Sequence, residues 1–196
     1  MRWEVFKQDA AGKPHQAVGS VHAVEAEGAL LNARHVFARR PAAVSLWVTP
    51  ADAIHSWTAE QVAAAGPGAD DAATKTTRDS TGTTRGSAAN AKDKGPGSEP
   101  SAYLVFCKTT NRRSMTFVDH VGEVMAVSPA AALAQARAHY GEQPVLAWWL
   151  VPKAAVVASA PQDAEAWFEP ARDKTYKQQS AYGSVKPGGR ASGSPR

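Results

Sequence analysis

Forty consecutive residues in the middle of the chain, from Ala63 to Ala102, contain no Val, Ile, Leu, Met, Phe, Trp, Tyr or Cys. Their five acidic and five basic side chains balance one another. Ordering a backbone costs ~1–2 kcal/mol per residue, and a stretch without large apolar side chains cannot bury enough area to offset that cost. We therefore predict a disordered linker at residues 58–101, which divides the 196-residue chain into two short halves.

The two flanking halves repeat one another at a nearly constant spacing. Val5-Phe6 recurs as Val105-Phe106, and Ala29-Leu30 recurs 103 residues later as Ala132-Leu133. A collinear series of such matches indicates an internal duplication. Further matches in the same order are Val18-Gly19 with Val121-Gly122, Ala33-Arg34 with Ala136-Arg137, Trp47 with Trp149, and Pro50 with Pro152.

Each half has the pattern of two strands, a helix and a third strand. In the first half, apolar residues at positions 26, 29, 30, 33 and 37 mark one face of a helix. In the second half, Ser128-Pro129 predicts the start of the corresponding helix and Gly141 predicts its end. Aromatic and β-branched residues followed by turn residues predict the strands. The predicted strands include 3–8, 17–23, 44–49 and 146–151.

Each predicted unit is incomplete as a folded domain. Its one helix covers one face of a three-stranded sheet, and about 55–60 residues is near the lower size limit for independent stability. The open face of each sheet therefore needs a partner, and the other half is tethered nearby. We predict an α+β fold of two β-β-α-β repeats, each a small sheet with one crossing helix, packed as a pseudo-dimer. The repeats are placed at 1–57 and 102–182, followed by a disordered basic tail at 183–196.

The net charge of +4 does not by itself indicate nucleic-acid binding. Residues 183–196 contain three basic and no acidic side chains, which leaves +1 for everything before them. Duplex-binding domains usually concentrate Lys and Arg on one face or one helix. We therefore expect no nucleic-acid partner.

Membrane and export signals are not found in the sequence. The longest apolar run is far shorter than the ~18–20 residues of a membrane-spanning helix, and the first residues contain no apolar secretory segment. The single cysteine, Cys107, cannot form an internal disulfide or a multi-cysteine metal site. We expect no membrane partner and a cytoplasmic location.

No catalytic, cofactor-binding or metal-binding residue is predicted. None of the six histidines has the His-x-x-x-His or Glu-x-x-His spacing that places two metal ligands on one helix face. His15 and His120 lie near the two predicted hairpins, where they could meet in space. Cys107 is interpreted as a small buried apolar residue rather than a nucleophile. The glycine-rich phosphate-binding and nucleophile-elbow motifs do not occur.

Several aromatic and basic residues are candidates for contacts with a protein partner. Trp47, Trp148 and Trp149 lie on predicted third strands, where core packing is the simpler explanation. Strand alternation sends either Trp148 or Trp149 to the open face of its sheet, where it would suit an interface anchor. Arg39 and Arg40 follow the first helix and have no counterpart in the second half.

An aromatic segment follows the second repeat. It contains Phe168 and Tyr176, and Pro170 is predicted to interrupt any helix there. A segment this apolar but without periodicity is not expected to remain free in water. We interpret it as an extended arm that either packs on its own sheet or holds a partner.

A family resemblance rests on motifs in both halves. In the second half, Phe168-Glu169-Pro170-Ala171 is followed by Lys174 and Tyr176. The first-half motifs are Trp3-Glu4-Val5-Phe6, His15, Val18-Gly19-Ser20-Val21-His22-Ala23, Ala29-Leu30-x-Asn32-Ala33-Arg34, Arg39-Arg40 and Ser45-Leu46-Trp47-Val48. With these motifs the chain resembles the phenylacetic acid degradation B family (PaaB), which comprises the B subunits of phenylacetyl-CoA 1,2-epoxidase, as a tandem two-copy fusion.

Two departures from the family pattern concern the candidate partner contacts. The family pattern has two histidines just before the Val-Gly-Ser motif. The first copy keeps His15 but has Ala17 at the second position, whereas the second copy keeps only His120. Arg39 and Arg40 are also restricted to the first copy, so any contact they make would be one-sided.

The resemblance implies a non-catalytic accessory subunit of a di-iron monooxygenase complex in phenylacetate degradation, without a cofactor of its own. The implied partners are the di-iron oxygenase subunit and its helical companion subunit, with a reductase in the wider system. Two alternatives remain open. One is a nucleic-acid-binding module that uses the basic tail and exposed aromatic residues. The other is a small enzyme with a deep polar pocket between the repeats, holding His15 or His120.

Overall fold

A computed structural model describes residues 1–38, 43–65, 99–111 and 118–172. The part before residue 66, the first half, contains β1 (Arg2–Gln8), β2 (Gln16–His22), α1 (Ala26–Phe37), β3 (Ser45–Pro50), β4 (His55–Thr58) and α2 (Ala59–Ala65). The part after it, the second half, contains β5 (Ser101–Lys108), β6 (Asp119–Ala126), α3 (Pro129–Tyr140), β7 (Ala147–Pro152), β8 (Val157–Ala158) and α4 (Ala164–Arg172).

The described strands form one antiparallel sheet in the order β4-β7-β5-β6-β2-β1-β3-β8. Helices and an antiparallel sheet together confirm the α+β class. The prediction of two separate small sheets is wrong, because β2 and β6 pair with each other at Gln16 and Asp119. Their pairing joins two strand edges that separate sheets would leave unpaired, and unpaired edges are a liability in folded proteins.

Local sequence rules place the helices where they were predicted. The Ser128 side chain accepts a hydrogen bond from the backbone N–H of Ala131 at 3.1 Å and caps α3, which ends before Gly141. In α1, the buried residues Ala29, Leu30 and Ala33 form the apolar face that the sequence indicated. Periodicity therefore predicts α1, and capping residues predict the ends of α3.

Both long hairpins contain a register shift at the same relative position. The shift lies between Val5 and Phe6 in the β1–β2 pair, and between Val105 and Phe106 in the β5–β6 pair. A bulge of this kind bends the strand and increases its twist. Gly19, at the first bulge, has φ +136°, a conformation that side-chain-bearing residues rarely adopt.

The apolar residues pack into three clusters. One lies under α1 and includes Val5 and Leu46, and a second lies under α3 and includes Val105 and Leu150. The third cluster joins the two halves on the sheet face opposite the helices. It contains Phe6, Ala17, Leu104, Phe106, Val118 and Val151, and the rings of Phe6 and Phe106 stack at 4.3 Å between centroids.

Each half extends a segment onto the other half, which the sequence did not predict. The first-half strand β4 pairs with β7, and its Trp57, 4% exposed, packs in the cluster under α3. The second-half strand β8 pairs with β3, and Phe168 of α4, 3% exposed, packs in the cluster under α1. We call residues 54–65 and 156–172 the exchanged arms.

The exchanged arms correct two sequence-based expectations. Ordered structure continues through α2, past the linker boundary predicted at residue 58, whereas residues 66–98 lie outside the described residues. The arm around Phe168 is a helix, not an extended segment, and α4 continues past Pro170. Proline disfavours a helix interior because it lacks an N–H donor, yet α4 contains Pro170 and packs its Phe168 against the first half. In the part of the chain that is described, no helix is both long and apolar enough to cross a bilayer.

Candidate functional site

The candidate partner residue His15 lies beside the junction of the two halves, stacked on Trp47. The ring centroids are 3.5 Å apart with an interplanar angle of 13°. Nε2 of His15 lies 3.0 Å from Oγ of Ser45, within hydrogen-bond distance, and the residue is only 7% exposed. The β1–β2 hairpin positions His15 and β3 positions Trp47 and Ser45, so the contact ties the hairpin to β3, the strand on the other side of β1.

His120 approaches the same indole ring from the second half. Its ring lies edge-on to Trp47 at 5.3 Å and tilted against Phe106 at 5.1 Å between centroids. The Nε2 atom of His120 is buried and has no hydrogen-bond partner among the described residues. The structure therefore brings together His15, Trp47 and His120, three of the residues that the sequence singled out.

Both histidines are held in their neutral form by their surroundings. Burial, followed by the nearby His120, lowers the pKa of His15 to about 4. Burial also lowers the pKa of His120, although its bond to the Gly122 backbone and the charge of Glu123 oppose this shift. At neutral pH the two imidazoles are thus uncharged, which suits their packing against aromatic rings.

The two halves are joined next to this cluster by a short paired segment that we call the seam, residues 15–17 and 118–120. Nε2 of Gln16 donates to Oδ1 of Asp119 at 2.6 Å. The backbone N–H of Ala17 donates to the carbonyl of Val118 at 3.0 Å, and the N–H of His120 donates to the carbonyl of His15 at 2.8 Å. Sequence analysis missed Gln16 and Asp119, although the repeat spacing of 103 residues places them at corresponding positions.

The tryptophans of β7 point to opposite faces of the sheet, as strand alternation predicted. Trp149 faces the other half and lies edge-on to Phe6 at 6.4 Å between centroids. Trp148 is 3% exposed and packs in the cluster under α3, where it contributes to the core of the second half. Trp149 packs against the cluster that joins the two halves, whereas Trp148 pairs with Trp57 of the first-half arm.

The remaining candidates lie in or beyond the C-terminal arm. Phe168 is buried in the cluster under α1, next to Trp167, which packs against that cluster. Nε of Arg34, on α1, donates to the backbone carbonyl of Trp167 at 2.8 Å, and its guanidinium lies 5.8 Å from the indole centroid. Sequence analysis missed this contact because it joins residues 133 positions apart. Arg39, Arg40 and Tyr176 lie outside the described residues.

The single cysteine is placed as an apolar core residue. Cys107 is 5% exposed within the cluster under α3. Burial, and to a lesser degree the charge of Asp119, raise the pKa of its thiol. A buried, protonated thiol is a poor nucleophile. Within residues 1–38, 43–65, 99–111 and 118–172, no group of three or more His, Cys, Asp or Glu side chains is arranged to hold a metal ion.

Fold and site together define an α+β protein in which His15, His120 and several aromatic side chains lie where its two halves join. The model of the family described as "Phenylacetic acid degradation B" (PaaB) matches the chain in two segments, residues 1–86 and 100–188. The chain belongs to this family. The two matched segments also confirm the tandem organisation that the sequence repeats predicted.

One curated relative has a described activity. The B subunit of the 1,2-phenylacetyl-CoA epoxidase of Escherichia coli (strain K12) is 42% identical to this chain over 52 residues. The alignment covers 26% of this chain and 55% of the relative, so it spans about half of that protein's length. No solved structure matches the chain.

Proposed function

We propose that this chain is a non-catalytic structural subunit of a phenylacetyl-CoA epoxidase complex in cytoplasmic phenylacetate degradation. The observation that carries this proposal is the match of both halves to the family, together with the epoxidase subunit among its relatives. In this proposal the chain bridges a di-iron oxygenase subunit and its helical companion, and a reductase supplies the electrons. The oxygen chemistry takes place on those partners.

The proposal includes a duplicated architecture in which each copy supplies one β-β-α-β unit and the units pack as a pseudo-dimer. The element order β1-β2-α1-β3 followed by β5-β6-α3-β7 supports it. So does the register, because Phe6 pairs with Ala17 and Trp47 while Phe106 pairs with His120 and Trp149. A single chain would then have the surface that two single-copy chains form when they associate.

The state of the reactive side chains supports a non-catalytic role. His15 is stacked on Trp47 and lies within hydrogen-bond distance of Ser45, so its contacts stabilise the fold. The Cys107 thiol is buried, and its raised pKa keeps it protonated. These groups would have to leave their packing positions before they could act on a substrate.

A reconstitution experiment tests the proposal. The full chain is mixed with the oxygenase and companion subunits, and complex formation is followed by size-exclusion chromatography with light scattering. Reductase, NADPH and phenylacetyl-CoA are then added, and epoxide formation is measured. We expect a stable complex, and no turnover when this chain replaces the oxygenase. Turnover by this chain and reductase alone, or failure to bind either subunit, would contradict the proposal.

The one-sided arginines provide a variant with a matched control. We expect Arg39→Glu with Arg40→Glu to weaken the complex at least about tenfold, because reversing two charges that complement a partner opposes association. The control exchanges the corresponding second-half positions, Glu142→Lys with Gln143→Lys. Equal loss of binding in both double variants would show that the arginines have no special role.

The two alternatives make different predictions. An enzyme with a site between the repeats requires a deep polar pocket there, whereas the rings of Phe6 and Phe106 stack in that region and His15 packs on Trp47. A nucleic-acid-binding module would be retained on heparin after removal of residues 183–196. We expect retention to be lost with that tail.

A further inference from the structure

Corresponding positions of the two halves meet each other at the seam. In the first half Lys7 pairs with Gln16, and in the second half Cys107 pairs with Asp119, one position after the matched phenylalanines of β1 and β5. Gln16 and Asp119 therefore occupy the same place in their hairpins. They also pair directly with each other between β2 and β6.

The backbone hydrogen bonds of the seam have the same relationship. One bond runs from the N–H of Ala17 to the carbonyl of Val118, and the other from the N–H of His120 to the carbonyl of His15. Ala17 corresponds to His120 and Val118 corresponds to His15, so exchanging the two halves converts each bond into the other. This reciprocity defines a local two-fold axis that passes between Gln16 and Asp119. A side chain on such an axis meets its own equivalent whenever two identical halves pair.

Gln16 and Asp119 differ in whether two identical side chains can hydrogen-bond to each other across the axis. The Gln16 amide has both donor and acceptor atoms, so two copies could hydrogen-bond across the axis. An ionised Asp119 carboxylate has only acceptors. Two second halves would place one carboxylate against another at the position where Gln16 now donates at 2.6 Å. Like charges placed directly opposite each other across a strand pair are destabilising.

The contacts of Trp47 also differ between the pairing seen in the structure and a pairing of two first halves. Trp47 contacts His15 from the first half and His120 from the second half. Two first halves would present Ala17 at the place of His120, so the edge-on contact with the indole would be lost. The arrangement in the structure is therefore the pairing in which both contacts to Trp47 form.

We propose that the seam is a heterotypic recognition surface: a second half accepts a first half and rejects another second half through Asp119. The chain thereby behaves as a linked pair of unlike subunits, and two copies of it do not assemble through their second halves. This inference rests on the duplication proposed above and not on the epoxidase assignment. Its tests need no other subunit, so its failure and that of the epoxidase proposal are distinguishable.

The first experiment measures partner choice. A protease site is inserted within residues 66–98 of the full chain, the folded protein is cleaved, and the products are unfolded, refolded at pH 7.5 and analysed by native mass spectrometry. We expect complexes of two second halves to be at least roughly tenfold less abundant than random pairing of the halves would give. We expect Asp119→Asn to raise these pairs several-fold, and Glu123→Gln, on an exposed residue of the same strand, to leave them unchanged. A statistical mixture from the unaltered protein, or no response to Asp119→Asn, would overturn the proposal.

The second experiment uses the uncut chain and needs no refolding. Gln16→Asp creates the facing carboxylates within one molecule, and we expect it to lower the unfolding temperature at pH 7.5 by about 5 °C or more. Gln16→Met removes the hydrogen bond without adding charge and serves as the control. The difference between the two variants should shrink as the pH approaches about 4, where carboxylates protonate. Adding Asp119→Asn to Gln16→Asp should restore stability. Equal losses in both single variants at every pH would refute the repulsion.

Discussion

The imidazole of His15 lies nearly parallel to the indole of Trp47, with 3.5 Å between the ring centroids. This contact buries a titratable group beside the seam, and His120 approaches the same indole from the other half. The stability of the junction is therefore linked to the protonation of a histidine that the fold keeps neutral.

The first prediction concerns pH. The pKa of His15 is about 4 in the folded protein, below the usual 6.5, because of burial and the neighbouring His120. Between about pH 6.5 and pH 4, His15 therefore binds a proton in the unfolded chain but not in the folded chain. The contribution of His15 to stability should be constant above about pH 7.5, fall by up to about 3 kcal/mol as the pH drops from about 6.5 to 4, and change no further below that.

Urea unfolding across this pH range measures the effect. His15→Phe keeps a ring on Trp47 but cannot titrate, so its stability should depend less steeply on pH. A smaller slope should remain because burial also lowers the pKa of His120. His35→Gln, on an exposed histidine of α1, is the control and should retain the full slope. If the stability of His15→Phe depended on pH as steeply as that of the unaltered protein, the pH effect would not come from His15.

The second prediction concerns the exchanged arms. Phe168→Ala removes a buried ring from the cluster under α1 and should cost about 3–5 kcal/mol. Because α4 packs on the first half, hydrogen exchange should accelerate first in β1 and α1. Trp57→Ala should destabilise the protein by a similar amount, and hydrogen exchange should accelerate first in β5 and β7.

Glu169→Gln, next to Phe168 but exposed, is the control for the arm variants and should change stability by less than about 0.5 kcal/mol. If Phe168→Ala accelerated exchange first in β5–β7, the arm would not be exchanged as described. The test thus depends on where protection is lost as well as on how much.

The third prediction compares two glycines in equivalent hairpins. A Cβ at Gly122 would overlap the end of the Tyr140 side chain, whereas Gly19 has φ +136° and lies against Phe37. We expect Gly122→Ala to cost about 1–3 kcal/mol and Tyr140→Leu to recover most of it by making room. We expect Gly19→Ala to remain destabilising when combined with Phe37→Leu, because backbone strain persists. Thermal unfolding of the four variants measures this, and equal rescue at both sites would contradict it.

The fourth prediction concerns helix capping, which differs between the copies. Ser128 caps α3 through its side chain, whereas Glu25, at the start of α1, makes no side-chain cap. We expect Ser128→Ala to cost about 1 kcal/mol and Glu25→Ser to stabilise the protein by about 0.5–1 kcal/mol. Chemical unfolding measures both, and a destabilised Glu25→Ser variant would show that Glu25 has another role.

Much of the secondary structure was predictable because short-range rules define it. Helical periodicity located α1, and Ser128 and Gly141 delimited α3. The repeated Val-Phe pairs of the sequence also lie at the register shifts of the two hairpins, between Val5 and Phe6 and between Val105 and Phe106. These features depend on residues close together in the chain, so a single sequence contains the necessary information.

The exchanged arms were not predictable in the same way. Strand β8 has two residues and β4 has four, too few to give a clear alternation. Strand β8 forms by pairing with β3, and β4 forms by pairing with β7, so each short strand depends on a strand of the other half. Likewise, α4 continues past Pro170 beside a ring that is buried against distant residues.

The sequence by itself determined the duplication, the helix boundaries and the two histidines near the hairpins. Only the tertiary structure decided that the strands form one sheet, that the arms cross over, and that His15 and His120 meet at one indole. The physical reason is the range of the interactions. Capping and periodicity act over a few residues, whereas strand pairing and ring contacts join positions about 100 residues apart and depend on the free energy of the whole fold.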